Sequence, residues 1–115
     1  MYTYRAHVVD TYDGDTITVL IDLGFDIRYE TKIRLYGINS PELRKGTDRE
    51  KGLYAKKYLS EQILGKEITL QTFKDKKEKY GRYLGQIFLG GVDINNEMVK
   101  KGFALVNFYG KELKK

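Results

Sequence analysis

The chain contains no cysteine, one proline (Pro41) and one histidine (His7) in 115 residues. Without cysteine there is no disulfide, no thiolate metal site and no cysteine nucleophile. A lone histidine excludes a multi-histidine zinc site. His7 also lies in phase with Arg5 and Val9 on a strand-like run, a poor position for a general base. Ser40 has no histidine or lysine signal beside it, so a serine nucleophile is a poor reading too. One proline, no Ser/Gly-rich stretch and no internal repeat leave nowhere for a linker, so residues 1–115 are expected to form one domain. No apolar run approaches a membrane span. Residues 1–5 lead straight into a strand pattern without a signal-peptide layout, which gives the expectation of a cytoplasmic protein.

What is present is a folding composition. Hydrophobic residues make up 41% and charged residues 32%, with ten tyrosines and five phenylalanines spread along the chain. Disorder is incompatible with that many aromatic and β-branched residues. The net charge of +5 suits a polyanionic partner through phosphate neutralisation, although a basic protein without such a partner fits the charge equally well.

Residues 3–12 and 15–23 read as two strands of a hairpin, and 27–37 as a third, with Ile27, Tyr29, Thr31, Ile33 and Leu35 in alternation. A loop from Ile38 to Glu42 follows, because Pro41 restricts the residue before it. Thr47-Asp48-Arg49-Glu50 has the spacing of a capping box. Gly52, Ala55, Tyr58, Leu59 and Ile63 form one helical stripe, and Gly65 stops the helix. Residues 66–73 and 82–89 read as the fourth and fifth strands around a charged loop from Lys74 to Gly81. After a Gly90-Gly91 turn, Asn95 is expected to cap a short helix through Lys101, ended by Gly102. Phe103 to Tyr109 offers a last short strand, and Lys111 to Lys115 a polar tail. Three strands, a helix, two strands and a short helix is the order of a five-stranded Greek-key barrel of the OB type. An open α+β sheet with a helix on one face is the rival arrangement.

The organising stretch is Asp13-Gly14-Asp15-Thr16. Asp-Gly between β-rich runs signals a tight hairpin, with Gly14 supplying positive φ. Asp15 is in phase with Ile17, Val19 and Ile21, so it points to the core side. An inward carboxylate costs several kcal/mol unless a cation or an arginine meets it. Asp13, Asp15, Asn39 and Glu42 sit at strand ends that a barrel can bring together. Hard oxygen donors of that kind suit Ca²⁺ or Mg²⁺, and the competing reading is a turn and a loop with solvated acids. Arg34 and Arg82 could grip a phosphate bidentately. By periodicity alone, Arg34 shares the exposed row of Arg28, Glu30 and Lys32, and Arg82 could equally be a surface residue. Tyr80, Phe108 and Tyr109 could stack bases, while most tyrosines read better as sheet and core residues.

Taken in order, Asp13-Gly14-Asp15-Thr16, Ile33-Arg34-Leu35, Gly37 to Glu42, Gly52 to Leu59, Lys79 to Leu84 and Ile94 to Ala104 resemble the staphylococcal nuclease (thermonuclease) family. The resemblance implies an OB-fold barrel that hydrolyses DNA and RNA with Ca²⁺, leaves 3′-phosphate ends and has little sequence preference. It implies Asp15 and Asn39 as side-chain metal ligands, the Ser40 carbonyl as a third, and Asp13 in the outer shell. It implies Glu42 as the group that activates water, and Arg34 and Arg82 as phosphate-holding groups that stabilise the pentacoordinate state. Lys79 and Tyr80 would line the nucleotide site, with Tyr109 an approximate substitute for a stacking tyrosine. The family usually has Asp where this chain has Asn39. An amide oxygen brings no charge, so Ca²⁺ binding is expected to be weaker by on the order of tenfold or more, with other divalent ions tolerated. The alternative is a non-hydrolytic nucleic-acid-binding barrel with a weakened metal site. The chain is assumed to be a monomer, with a homodimer as the alternative.

Overall fold

In the computed structural model, which describes residues 2–40, 49–77 and 81–106, the chain opens with β1 (Tyr2–Asp13) and β2 (Thr16–Asp22). They pair antiparallel about Gly14 and Asp15. β3 (Arg28–Leu35) adds to the far side of β2, and the two-residue β4 (Ile38–Asn39) follows a turn at Tyr36 and Gly37. After α1 (Arg49–Ile63) come β5 (Glu67–Lys77) and β6 (Tyr83–Leu89). β7 (Val92–Asp93), α2 (Ile94–Lys100) and β8 (Leu105–Val106) complete the order.

The sheet runs β3-β2-β1-β5-β6, with β7 extending it. β3 then closes on β6 by a short parallel ladder from Ile33–Leu35 to Tyr83–Gly85. This is a closed five-stranded barrel with two helices, the OB-type architecture expected. β1 serves two neighbours, and register shifts between Val8 and Asp10 and between Thr11 and Asp13 supply the extra bend. At the closure, Gly85 has no side chain for a physical reason. A Cβ there would stand 2.7 Å from Leu70 Cδ1 and 2.9 Å from Ile33 Cγ2.

The core fills the barrel with Val8, Ile17, Val19, Ile33, Leu35, Leu70 and Ile87, each fully buried. α1 contributes Ala55, Leu59 and Ile63 at helical spacing, and α2 contributes Ile94 and Met98. Each of these valine, leucine, isoleucine and methionine side chains is worth roughly 1.5–3 kcal/mol on burial. Tyr58 covers the rim of this layer, stacked on Phe103 with ring centroids 4.7 Å apart. No helix among the described residues is long and apolar enough to cross a membrane.

Four expectations are corrected. β5 continues through Lys77, where a charged loop was expected from Lys74. Pairing with β6 resumes at Lys77 opposite Tyr83, and strand pairing outweighs the composition of the run. The cap of α2 is Asp93, whose carboxylate accepts the Asn96 N–H at 3.1 Å, while Asn95 is buried inside the first turn. Gly14 does not have positive φ. Space requires it instead: a Cβ would lie 2.7 Å from both Ala55 Cβ and Ser40 Cβ. Arg34 belongs to an exposed row by sequence period, yet is 8% exposed, because the segment through Asn39 folds back over it. Thr47, the expected cap of α1, lies outside the described residues.

Candidate active site

The site forms where the β1–β2 turn, the end of β3 and β4 meet. Asp13 accepts the Asp15 N–H at 3.1 Å, a side-chain-to-backbone turn typical of aspartate. The Asp15 carbonyl accepts the Leu35 N–H at 2.8 Å and fixes the turn against β3. With its backbone held at both ends, the Asp15 carboxylate is directed inward and 10% exposed.

Three groups meet it. Its Oδ2 accepts the Ser40 N–H at 2.8 Å, and its Oδ1 accepts Thr16 Oγ1–H at 3.1 Å. Arg34 Nη2 stands 3.5 Å from Oδ2, with the arginine side chain 9% exposed. Arg34 is itself oriented. Nη1 donates to the Leu35 carbonyl at 2.9 Å, and Nη2 donates to Asn39 Oδ1. Asn39 Oδ1 and Asp15 Oδ2 thus converge on one guanidinium nitrogen. Arg82 joins through Thr16: its Nη1 donates to Thr16 Oγ1 at 3.0 Å, and that hydroxyl donates onward to Asp15.

The Asp13 carboxyl is pushed up to about 7. Partial burial is the main cause, followed by hydrogen bonding to Asp15 and the charge of that neighbour. Two carboxyls two residues apart in a half-buried turn resist full ionisation unless positive charge arrives between them.

A metal would be held here by oxygen. Asp15 and Asn39 bring side-chain oxygens together, and Ser40 is anchored beside them through its N–H. Ser40 Oγ is buried and has no hydrogen-bond partner among the described residues. Such a donor set fits a hard cation in kind. It is poor in charge, with one carboxylate at its centre already facing a guanidinium. No group of three or more His, Cys, Asp or Glu side chains gathers among the described residues.

Of the residues expected from sequence, the structure brings together Asp13, Asp15, Arg34, Asn39, Ser40 and Arg82. Glu42, Lys79, Tyr80 and Tyr109 lie outside the described residues. Thr16 was missed, although its hydroxyl joins the carboxylate to the second arginine. Its only sequence signal was a hydroxyl residue directly after the inward acid. Asn95, a simple cap by its sequence position, does more in the fold. It is 2% exposed and accepts the Ile87 N–H at 3.0 Å. It also donates to the carbonyls of Tyr36 at 2.9 Å and Gly85 at 3.1 Å. It ties α2 to the turn ahead of Asn39 and to the strand that follows Arg82.

An OB-type barrel with a buried acid–arginine pair at the mouth of its first hairpin defines a class of protein, and comparison with known proteins places the chain within it. The chain belongs to the family described as staphylococcal nuclease homologue, whose model matches residues 32–115. It is 32% identical to an uncharacterised protein of Methanocaldococcus jannaschii, over 96% of this chain and 63% of that protein. It is 29% identical to the thermonuclease of Staphylococcus hyicus, over 93% of this chain and 60% of that protein. To the endonuclease YhcR of Bacillus subtilis it is 32% identical, over 91% of this chain but 9% of that protein. The chain therefore spans less than two-thirds of the length of these relatives.

Proposed function

We propose that the chain acts as a nuclease, hydrolysing phosphodiester bonds of DNA, RNA or both with little sequence preference and with a divalent cation, Ca²⁺ foremost. The observation that carries this reading is the buried Asp15–Arg34 pair, linked through Thr16 to Arg82. Membership of a nuclease-named family and relatives named thermonuclease and endonuclease support it. Residues 1–115 would work as one domain.

A phosphodiester is an anion that repels a nucleophile, and its charge rises as it becomes pentacoordinate. Arg34, on β3, and Arg82, directly before β6, approach the Asp15 site from different segments. From there, two guanidiniums can bind the phosphoryl oxygens and strengthen their hold as charge builds. Low exposure around Arg34 strengthens that interaction relative to water. Asp15, Asn39 and the Ser40 carbonyl would hold the cation, with Asp13 outside them. When bound, the cation supplies positive charge to the phosphate and a place for the attacking water. Glu42 would take the proton from that water, a contribution of about 10²–10⁴ in rate. Lys79, Tyr80 and Tyr109 would contact the nucleic acid.

Labelled single-stranded DNA and RNA, incubated with the protein and either Ca²⁺ or a chelator, test the proposal. Cutting that the chelator abolishes is the expected result; binding without cutting at any divalent ion would overturn it. That second outcome is the non-hydrolytic reading, and one observation favours it: Asn39 Oδ1 is engaged by Arg34 and brings no charge to a metal. The substitution Asn39→Asp is therefore expected to tighten Ca²⁺ binding by about tenfold or more, measured by calorimetric titration. Unchanged affinity would remove Asn39 from the ligand set.

A further inference from the structure

β3 is paired fully on one edge only. Toward β2 the ladder runs from Arg28 to Arg34, but toward β6 it covers only Ile33, Arg34 and Leu35. Among the described residues no strand pairs with the outer edge of 28–32. The hydrogen bonds tell which backbone groups lie there. Leu23 N–H donates to the Ile27 carbonyl, and Leu35 N–H to the Asp15 carbonyl. Odd-numbered residues thus direct their backbone groups to the β2 side, and Arg28, Glu30 and Lys32 turn theirs outward. An open edge of this kind is a template for another strand.

Beside the edge lies an aromatic groove of about 290 Å³, whose walls include Tyr2, Tyr4, Tyr29, Ile33, Phe73 and Tyr83. The turn between β2 and β3 carries Phe25, which is 94% exposed. Phe25 and Asp26 have φ of 56° and 63°. Two successive non-glycine residues in the left-handed region are uncommon and strained. Here that strain accompanies an aromatic ring held out in solvent, at the end of the barrel where the groove opens.

We propose that the open edge of β3 pairs antiparallel with the same edge of a second copy, about a two-fold axis at Tyr29, and that Phe25 of each copy enters the aromatic groove of the other. The charges select both partner and register. With Tyr29 on the axis, Arg28 meets the partner's Glu30 and Glu30 meets the partner's Arg28. Lys32 meets the partner's Asp26, and Ile27 meets the partner's Thr31. Outward-facing residues oppose outward-facing residues, as the ladder requires. The other two-fold registers centred within residues 28–32 fail on charge or on space. Centring on Arg28, Glu30 or Lys32 sets each against itself, and centring on Thr31, although it pairs Glu30 with the partner's Lys32, runs Tyr29 and Arg28 onto the stretch of edge that β6 already covers. Charged side chains, lysine above all, serve on many edges to blunt pairing. Alternating signs that complement themselves under a two-fold axis instead fit a self-matching interface. In the same register the shared ladder ends at Lys32, and the partner's Phe25 arrives where β6 takes over the edge at Ile33 and Tyr83, both of which line the groove.

Sedimentation velocity of the full chain over rising concentration tests this, and no nuclease assay enters, so the result is independent of the function proposed above. The expected species is a dimer. Arg28→Glu and Glu30→Arg should each weaken association by about tenfold or more, since each variant alone opposes like charges in the ladder. An equimolar mixture of the two variants should associate again, because every reversed position then faces its opposite. The double variant should recover the dimer as well, which rules out misfolding as the cause of the single losses. Phe25→Ser should weaken association too. The proposal is overturned by a chain that stays monomeric up to about 1 mM. A dimer indifferent to both single reversals, or single losses that neither the mixture nor the double variant restores, would overturn it equally.

Discussion

Asp13 and Thr16 each bear on the chemistry of the site at the scale of the residue, and each can be addressed separately. Asp13 is pushed up to about 7 from an ordinary 3.8. The folded protein therefore holds a proton there more tightly than the unfolded chain does. Stability contributed by that proton is lost as pH rises from about 4 to about 7, and the cost is complete above 7. In chelator, Asp13→Asn is expected to raise the melting temperature at pH 8 by several degrees and to leave it unchanged at pH 4. The amide keeps the oxygen that accepts the Asp15 N–H. Equal shifts at both pH values would show that the charge of Asp13 is not the cause. Thr16 gives a second case. Its hydroxyl serves Asp15 and Arg82 together, so Thr16→Val leaves a carboxylate oxygen short of a donor and a guanidinium short of an acceptor. Misplacement on this scale is expected to slow the proposed cleavage roughly 10–100-fold, read with labelled DNA. Thr16→Ser should restore most of it, and a serine variant as slow as the valine variant would make Thr16 a packing residue only.

The determining contacts between elements are polar links that strand and helix periodicity do not report. Alternation along β3 puts Arg34 with the solvent row. The turn at Tyr36 and Gly37 brings Ser40 and Asn39 back over it, and the row ends at Lys32 for that reason. β4 is only two residues long, yet its pairing with β8, Ile38 to Val106 and Asn39 to Leu105, holds the returning segment in place. Asn95 has the same kind of role. From sequence it is one more asparagine at a helix start; in the fold, a single amide bridges α2, the Tyr36 turn and β6. Asn95→Ala would strand the Ile87 N–H and take a donor from the Tyr36 carbonyl. Unfolding in urea is expected to show a loss of about 3 kcal/mol. A loss below about 1 kcal/mol would mean that water replaces the amide.

For the molecule as a whole, which carries a net charge of +5, the proposed dication would act on the stability of the entire fold. A cation bound only by the folded state stabilises it by mass action, about 2.7 kcal/mol at a hundred times its dissociation constant. Ca²⁺ is therefore expected to raise the melting temperature progressively with concentration, while a monovalent salt of equal ionic strength does not. The Asp15→Asn variant should lose this shift. Equal responses to both salts would argue for general screening rather than a site.

What the sequence determined alone is the part governed by local chemistry. Alternation and helical period placed the five barrel strands and α1. The Asp-Gly-Asp-Thr turn marked an inward carboxylate, because a strand has only two faces and one of them was apolar. The tertiary structure alone decided which groups meet that carboxylate. Ser40, Arg34 and, through Thr16, Arg82 arrive from segments 19 to 67 positions away along the chain, brought together by barrel closure. No local period encodes such a meeting, since it depends on strand register, on two tight glycine contacts and on one buried asparagine. That is also why Arg34, exposed by every local rule, is buried in the fold.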